Sequence, residues 1–144
     1  MNEASTLVRT FLKSISGAWT GKEKMADASG GMEELVAEAE FENSPALGGS
    51  GITSAYRQRM NGLTTMSCQT TYRFEPNGKV LMTWTPSSGD ACIFQGTLEE
   101  NVIKVSRKDA DGLQHTIRSD YREPDVAHIT ATIAGEMMPE TVVF

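Results

Sequence analysis

MSCQTTYRFEPNGKVLMTW, residues 66–84, reads as two strands and the turn between them. Side chains of an extended chain alternate, so Met66, Cys68, Thr70, Tyr72 and Phe74 share one face while Ser67, Gln69, Thr71 and Arg73 share the other. Glu75-Pro76-Asn77-Gly78 breaks the run: proline presets the φ of a turn, and Asn-Gly tolerates the left-handed region. Val80, Met82 and Trp84 then resume the alternation. A hairpin with one apolar and one polar face belongs to an antiparallel sheet that is buried on one side only.

The same pattern extends in both directions. Toward the C-terminus, Ser87-Ser88-Gly89-Asp90, Glu99-Glu100-Asn101, Asp109-Ala110-Asp111-Gly112 and Glu123-Pro124-Asp125 punctuate the chain at intervals of about ten residues, as hairpin connections do. Toward the N-terminus, Asn43-Ser44-Pro45 through Gly51 forms a looser, glycine-rich connection, read as a flap over the mouth of the fold. Strands are predicted over residues 19–25, 34–41, 52–60, 66–74, 80–85, 91–98, 102–107, 113–121, 127–133 and 140–144. Their inward positions include Leu35, Ala37, Ala39 and Phe41, then Cys92, Phe94, Gly96 and Leu98, then Leu113, His115, Ile117, Ser119 and Tyr121. A sheet of about ten short strands buries its apolar face and removes its edges by closing on itself, so the expected fold is an all-β, antiparallel up-and-down barrel.

Residues 6–16 follow a different period. Leu7, Val8, Phe11, Leu12 and Ile15 form one helical stripe, with Ser5 or Thr6 placed to cap the start and Gly17 to end it. This helix is expected to lie across one end of the barrel with Leu7, Phe11 and Ile15 inward, and Trp19 to pack over the closed end.

FLKSISGAWTGKEKM, residues 11–25, carries the Gly17-Ala18-Trp19 motif at that joint and leads into the meander. Together they resemble the lipocalin-like (calycin) barrels, and more closely an uncharacterised bacterial domain family of that fold with no assigned function. The resemblance runs through YRFEPNGKVLMTW (72–84) and QGTLEENVIKV (95–105), nearly the whole chain. Domains of this kind run a few residues further to pair the last strand with the first. Here the chain stops at Phe144 in mid-pattern, which implies a shortened piece or a looser closure.

Composition bounds the rest. The 144 residues suit one domain, 1–144, with one core. A net charge of −6, with no cluster of Lys and Arg, disfavours phosphate backbones and anionic lipid, so neither nucleic acid nor membrane is an expected partner. The N-terminal apolar run is interrupted by Arg9 and Lys13, unlike a signal peptide, and two cysteines are too few for a disulfide scaffold, so a reducing cytoplasm is the expected compartment. Cys68 and Cys92 lie two strand spacings apart, too far for a disulfide, and are read as buried thiols. A homodimer is compatible with all of this.

A barrel of about ten strands encloses more space than its own side chains fill, which calls for a ligand, a plug or water. Tyr56, Met66, Thr70, Tyr72, Met82, Trp84, Phe94, His115 and Ile117 are the candidate lining, apolar with a few polar handles, and the implied partner is a small, mostly apolar molecule. The bland alternative is an interior packed solid, a structural or oligomeric module. A third reading is a barrel enzyme of the isomerase, cyclase or decarboxylase kind, with His115 and an inner tyrosine as acid and base. His115 is also the one candidate axial ligand for haem, although an interior histidine is more often a hydrogen-bonded core residue. His128 alternates against Ile129, Ala131 and Ile133 and faces water, so no zinc set assembles, and no other cofactor is expected. Glu33, Glu34, Glu38, Glu40, Glu99 and Glu100 belong to strand ends or the wet face. Gly48-Gly49-Ser50-Gly51-Ile52 is not a nucleophile elbow, and no phosphate-binding loop or dinucleotide fingerprint occurs.

Overall fold

The computed structural model describes residues 3–25, 35–87, 89–133, 136–137 and 142–143. A helix, α1 (Glu3–Ile15), precedes β1 (Gly17–Met25), β2 (Leu35–Ala46), β3 (Gly51–Met60), β4 (Leu63–Phe74), β5 (Lys79–Pro86), β6 (Cys92–Glu99) and β7 (Val102–Lys108). The chain continues through β8 (Gln114–Asp120), β9 (His128–Ile133), β10 (Glu136–Met137) and β11 (Val142–Val143). From β1 to β9 every strand pairs antiparallel with its sequence neighbour. The far side of β9 pairs β10 and then β11, and β11 pairs β1 at Lys22↔Val143 and Glu23↔Val142, which brings the curled sheet back to its first strand. The fold is thus the expected all-β up-and-down sheet with one N-terminal helix, and among the described residues its closure runs through Val142 and Val143.

Strand boundaries differ from the expected ones where local chemistry extends the ladder. β2 runs on through Ser44 and Pro45 to Ala46, because Ser44↔Thr53 and Pro45↔Ile52 continue the ladder with β3. β4 begins at Leu63 rather than Met66, after a tight turn in which Asn61 and Gly62 both take positive φ (54° and 77°), the backbone a two-residue hairpin demands. Residue 34, residue 88 and most of the predicted strand 140–144 lie outside the described residues.

The helix is built as its stripe dictates, with one exception. Val8, Phe11, Leu12 and Ile15 join a single core cluster with Ile52, Phe74, Val80, Met82, Phe94, Ile103 and Val105. Their strand partners lie near the start of β3, β5 and β7 and at the end of β4, so α1 occupies the end of the barrel where those termini meet. Phe11 packs edge-on to Phe74 at 6.2 Å and to Tyr121 at 5.8 Å. Leu7 does not share this face. It is 66% exposed, because a stripe of five apolar positions is wider than the barrel end covers. The glycine-rich segment is also displaced from its expected place: Leu47–Gly49 forms a 3-10 turn at the helix end, where a β-carbon on Gly49 would stand 3.9 Å from the Arg9 guanidinium. It is not a flap over the opposite mouth.

The joint between helix and sheet is fixed by a shared acceptor. The Ile15 carbonyl accepts a hydrogen bond from Trp19 Nε1–H at 3.0 Å and another from Asn43 Nδ2–H at 2.8 Å. A carbonyl oxygen has two lone pairs, so one orphan acceptor at the helix C-terminus is saturated by side chains of β1 and β2. Gly17, at φ +117°, makes the reversal between them in a backbone region that L side chains rarely adopt. Trp19 then stacks on Phe41 (centroids 5.8 Å apart, 12° between planes) and meets Tyr121 edge-on.

Candidate functional site

Inside the barrel, next to the helix, the side chains leave a cavity of about 230 Å³. Its floor is Ile15 from α1 with Phe41 and Asn43 from β2, and its walls come from alternate residues of five further strands. β3 supplies Ile52, Ser54 and Tyr56; β4 supplies Met66, Cys68, Thr70 and Tyr72; β5 supplies Met82 and Trp84; β8 and β9 supply Ile117, Ser119, Ile129 and Ala131, with Tyr121 beyond β8. The register places these side by side, with Tyr56 opposite Cys68, Thr70 opposite Trp84 and Ile117 opposite Ala131. The space exists because several wall positions carry small side chains, Ser54, Cys68, Thr70, Ser119 and Ala131, between large ones.

Of the residues singled out from the sequence, Tyr56, Met66, Thr70, Tyr72, Met82, Trp84 and Ile117 line this cavity. Phe94 and His115 do not. Phe94 is buried in the core cluster beside Met82, its ladder partner. His115 is turned to the β7–β8 hairpin, where its Nε2 stands 2.8 Å from Asp109 Oδ2. Asp109 Oδ1 accepts the backbone N–H groups of Asp111 and Leu113 at 2.9 and 3.0 Å. The bond to His115, followed by these backbone donors, holds the Asp109 carboxyl below its ordinary range. The partner of His115 is therefore a turn carboxylate and not an inner Tyr or Ser.

No Asp, Glu, His, Lys or Arg side chain lines the cavity. Burial pushes the Tyr72 phenol far above its usual pKa, Tyr121 and Cys68 add to the shift, and a hydrogen bond with Ser119 opposes it. Burial likewise pushes Tyr121 up to about 12, against a hydrogen bond with Asn43. Neither Cys68 nor Cys92 is in a disulfide, and both are half-buried. The wall thus offers hydroxyl and thiol groups without a fixed charge, over a surface that is mostly apolar.

The solvent face differs in kind. Glu40 pairs with Arg57 at 3.3 Å and Arg59 at 3.0 Å across β2 and β3. Buried Asp120 is gripped by Arg122 through contacts of 3.0, 3.1 and 2.6 Å, with Arg118 at 3.4 Å. His128 faces Glu123 at 3.4 Å. Among the described residues no three His, Cys, Asp or Glu side chains converge as a metal site would need, and no helix is long and apolar enough to cross a membrane.

Arg107 escaped the reading of the sequence. In β7, Ile103 and Val105 are 2% and 1% exposed, so Arg107 continues the inward face by simple alternation. Its guanidinium lies over the Phe94 ring at 5.5 Å, and its buried Nε–H has no hydrogen-bond partner among the described residues. The signal was present in Ile103-Lys104-Val105-Ser106-Arg107, whose parity points the cation inward.

Comparison with known proteins finds the fold and nothing finer. No protein-family model matches the chain, and no curated protein does. Among solved structures, Rv2717c from M. tuberculosis superposes with a TM-score of 0.66 at 15% sequence identity, covering 99% of this chain and 96% of that one. That likeness is one of fold, the curled antiparallel sheet, and runs over nearly the whole of both chains.

Proposed function

We propose that this protein binds one small, mostly apolar molecule in the cavity between α1 and the strand walls. The carrying observation is the cavity itself: about 230 Å³ lined by Met82, Trp84, Ile117 and Ile129, with Tyr72, Thr70 and Ser119 as polar handles. An apolar surface with a few convergent polar groups is the usual composition of a ligand site. The volume lies just under the roughly 300–1,000 Å³ of drug-sized pockets. The occupant is accordingly a single ring or a short chain.

Binding is favoured over acid–base catalysis by the state of the titratable groups. A general base needs a pKa near the working pH. Tyr72 and Tyr121 are moved away from neutrality, and His115 is engaged by Asp109 outside the cavity wall. Tyr72 serves as a neutral hydrogen-bonding group for the ligand. Haem is disfavoured as well, since a porphyrin is larger than this cavity and His115 lies outside its lining.

Native mass spectrometry tests the reading. The protein as purified, or after incubation with 1-octanol, is expected to carry one small molecule per chain. A bare mass throughout, with no uptake of octanol at millimolar concentration, would contradict it.

A further inference from the structure

Arg107 indicates what kind of molecule the cavity takes. Its side chain belongs to the inner face of β7, two residues beyond Val105, which pairs with the cavity residue Ile117. Its own ladder partner is His115, and the ring beneath its guanidinium, Phe94, pairs with the cavity residue Met82. The cation therefore stands one row past the cavity wall, on the side away from α1.

Its neighbours leave it unneutralised. Among the described residues no carboxylate lies within ion-pair distance of Arg107, although the chain has six more acidic than basic side chains. Asp109, two residues on at the start of the hairpin turn, is committed to His115 and two backbone donors. The Phe94 face attracts the guanidinium but accepts none of its in-plane N–H bonds, and the Nε–H is buried without an acceptor. A buried donor lacking its acceptor is costly, and a planar guanidinium is satisfied best by a carboxylate, which takes two parallel N–H bonds.

We infer that the ligand is an apolar monocarboxylate, its chain or ring in the cavity and its carboxylate on Arg107. The inference rests on the cavity reading above and adds the head group to it. Lysine would not be equivalent, because it lacks the fork of donors and stacks less well on Phe94.

Isothermal titration with octanoate and 1-octanol, at neutral pH and low salt, separates the two levels of the argument. Octanol reports the cavity and octanoate the head group. Wild type is expected to bind octanoate about ten- to a hundredfold more tightly than octanol, the usual range for hydrogen bonds to a charged group. Arg107→Met is expected to bring octanoate to the level of octanol, and Arg107→Lys to fall between. Equal affinity for the two in wild type, or a preference that survives in Arg107→Met, overturns the head-group assignment and leaves the cavity reading standing. If neither compound binds, both fall. A second measurement needs no variant: the carboxyl of bound [1-13C]octanoate is expected to titrate below its free value, and a bound value at or above the free one would overturn the inference.

Discussion

The Ile15 carbonyl is the smallest unit on which the architecture turns. Two donors converge on it, Trp19 Nε1–H and Asn43 Nδ2–H, and the indole then stacks on Phe41. Trp19→Phe keeps most of the ring contact and removes one donor, so it should cost about 1 kcal/mol of unfolding free energy in urea, the net value of an ordinary hydrogen bond. Asn43→Leu should cost more, since it takes a second donor from the same buried carbonyl and also a partner from Tyr121. The tyrosines supply a second check. Tyr72 and Tyr121 hold their protons in the fold above the pH, near 10, at which unfolded tyrosines release them. Folded protein binds more protons than unfolded chain in that window, so stability should fall as pH rises through it. Ultraviolet titration at pH 11 should accordingly show these two tyrosines still mainly protonated until the chain unfolds.

At the scale of the elements, the close contact between β6 and β7 sets a strict demand. A β-carbon on Gly96 would overlap the Lys104 carbonyl and crowd the Val105 Cα, so the two strands approach where only glycine fits. Gly96→Ala is expected to destabilise by about 1–3 kcal/mol, as overpacking does, and thermal denaturation measures it. The loop after β8 behaves differently. Arg122, bonded to Asp120, holds that carboxyl far below its ordinary range even though burial opposes it, so its contribution is complete above about pH 4 and is lost as pH falls through the lowered value. Asp120→Asn should flatten the acid limb of a plot of melting temperature against pH.

Much of this level was legible from alternation alone. Residues 68–84 carry the period, the turn and the inward set, and the ladder from β4 to β5 pairs Thr70 with Trp84 and Tyr72 with Met82 as parity requires; Met66 shares that parity but sits at the rim of the cavity and is 39% exposed. What failed depended on more than one strand. Leu7 belongs to the helical stripe, yet the end of the barrel covers only four of its five positions. Leu113 has inward parity but sits at a hairpin tip and is 44% exposed. His115 has inward parity too, and the Asp109 turn captures it, a contact visible only once the β7–β8 register is known. The Asn61-Gly62 turn carries its own signal, but Leu63-Thr64-Thr65 interrupts the strict alternation before Met66 and hides the start of β4.

For the whole molecule, the sheet alone would enclose more space than it fills, and α1 decides how much is left. The helix inserts Val8, Phe11, Leu12 and Ile15 into one end, and the cavity of about 230 Å³ is the remainder. Phe11→Ala should therefore act twice, lowering stability by about 3–5 kcal/mol and enlarging the interior next to Phe74 and Tyr121. The methionines make the central claim directly measurable. Met66 and Met82 line the cavity, whereas Met60 ends β3 outside it. In a methyl 1H–13C spectrum of methionine-labelled protein titrated with 1-octanol, the Met66 and Met82 signals should shift together and saturate at one equivalent while Met60 stays in place. An unmoved Met82 signal, or shifts confined to Met60, would contradict an interior ligand site.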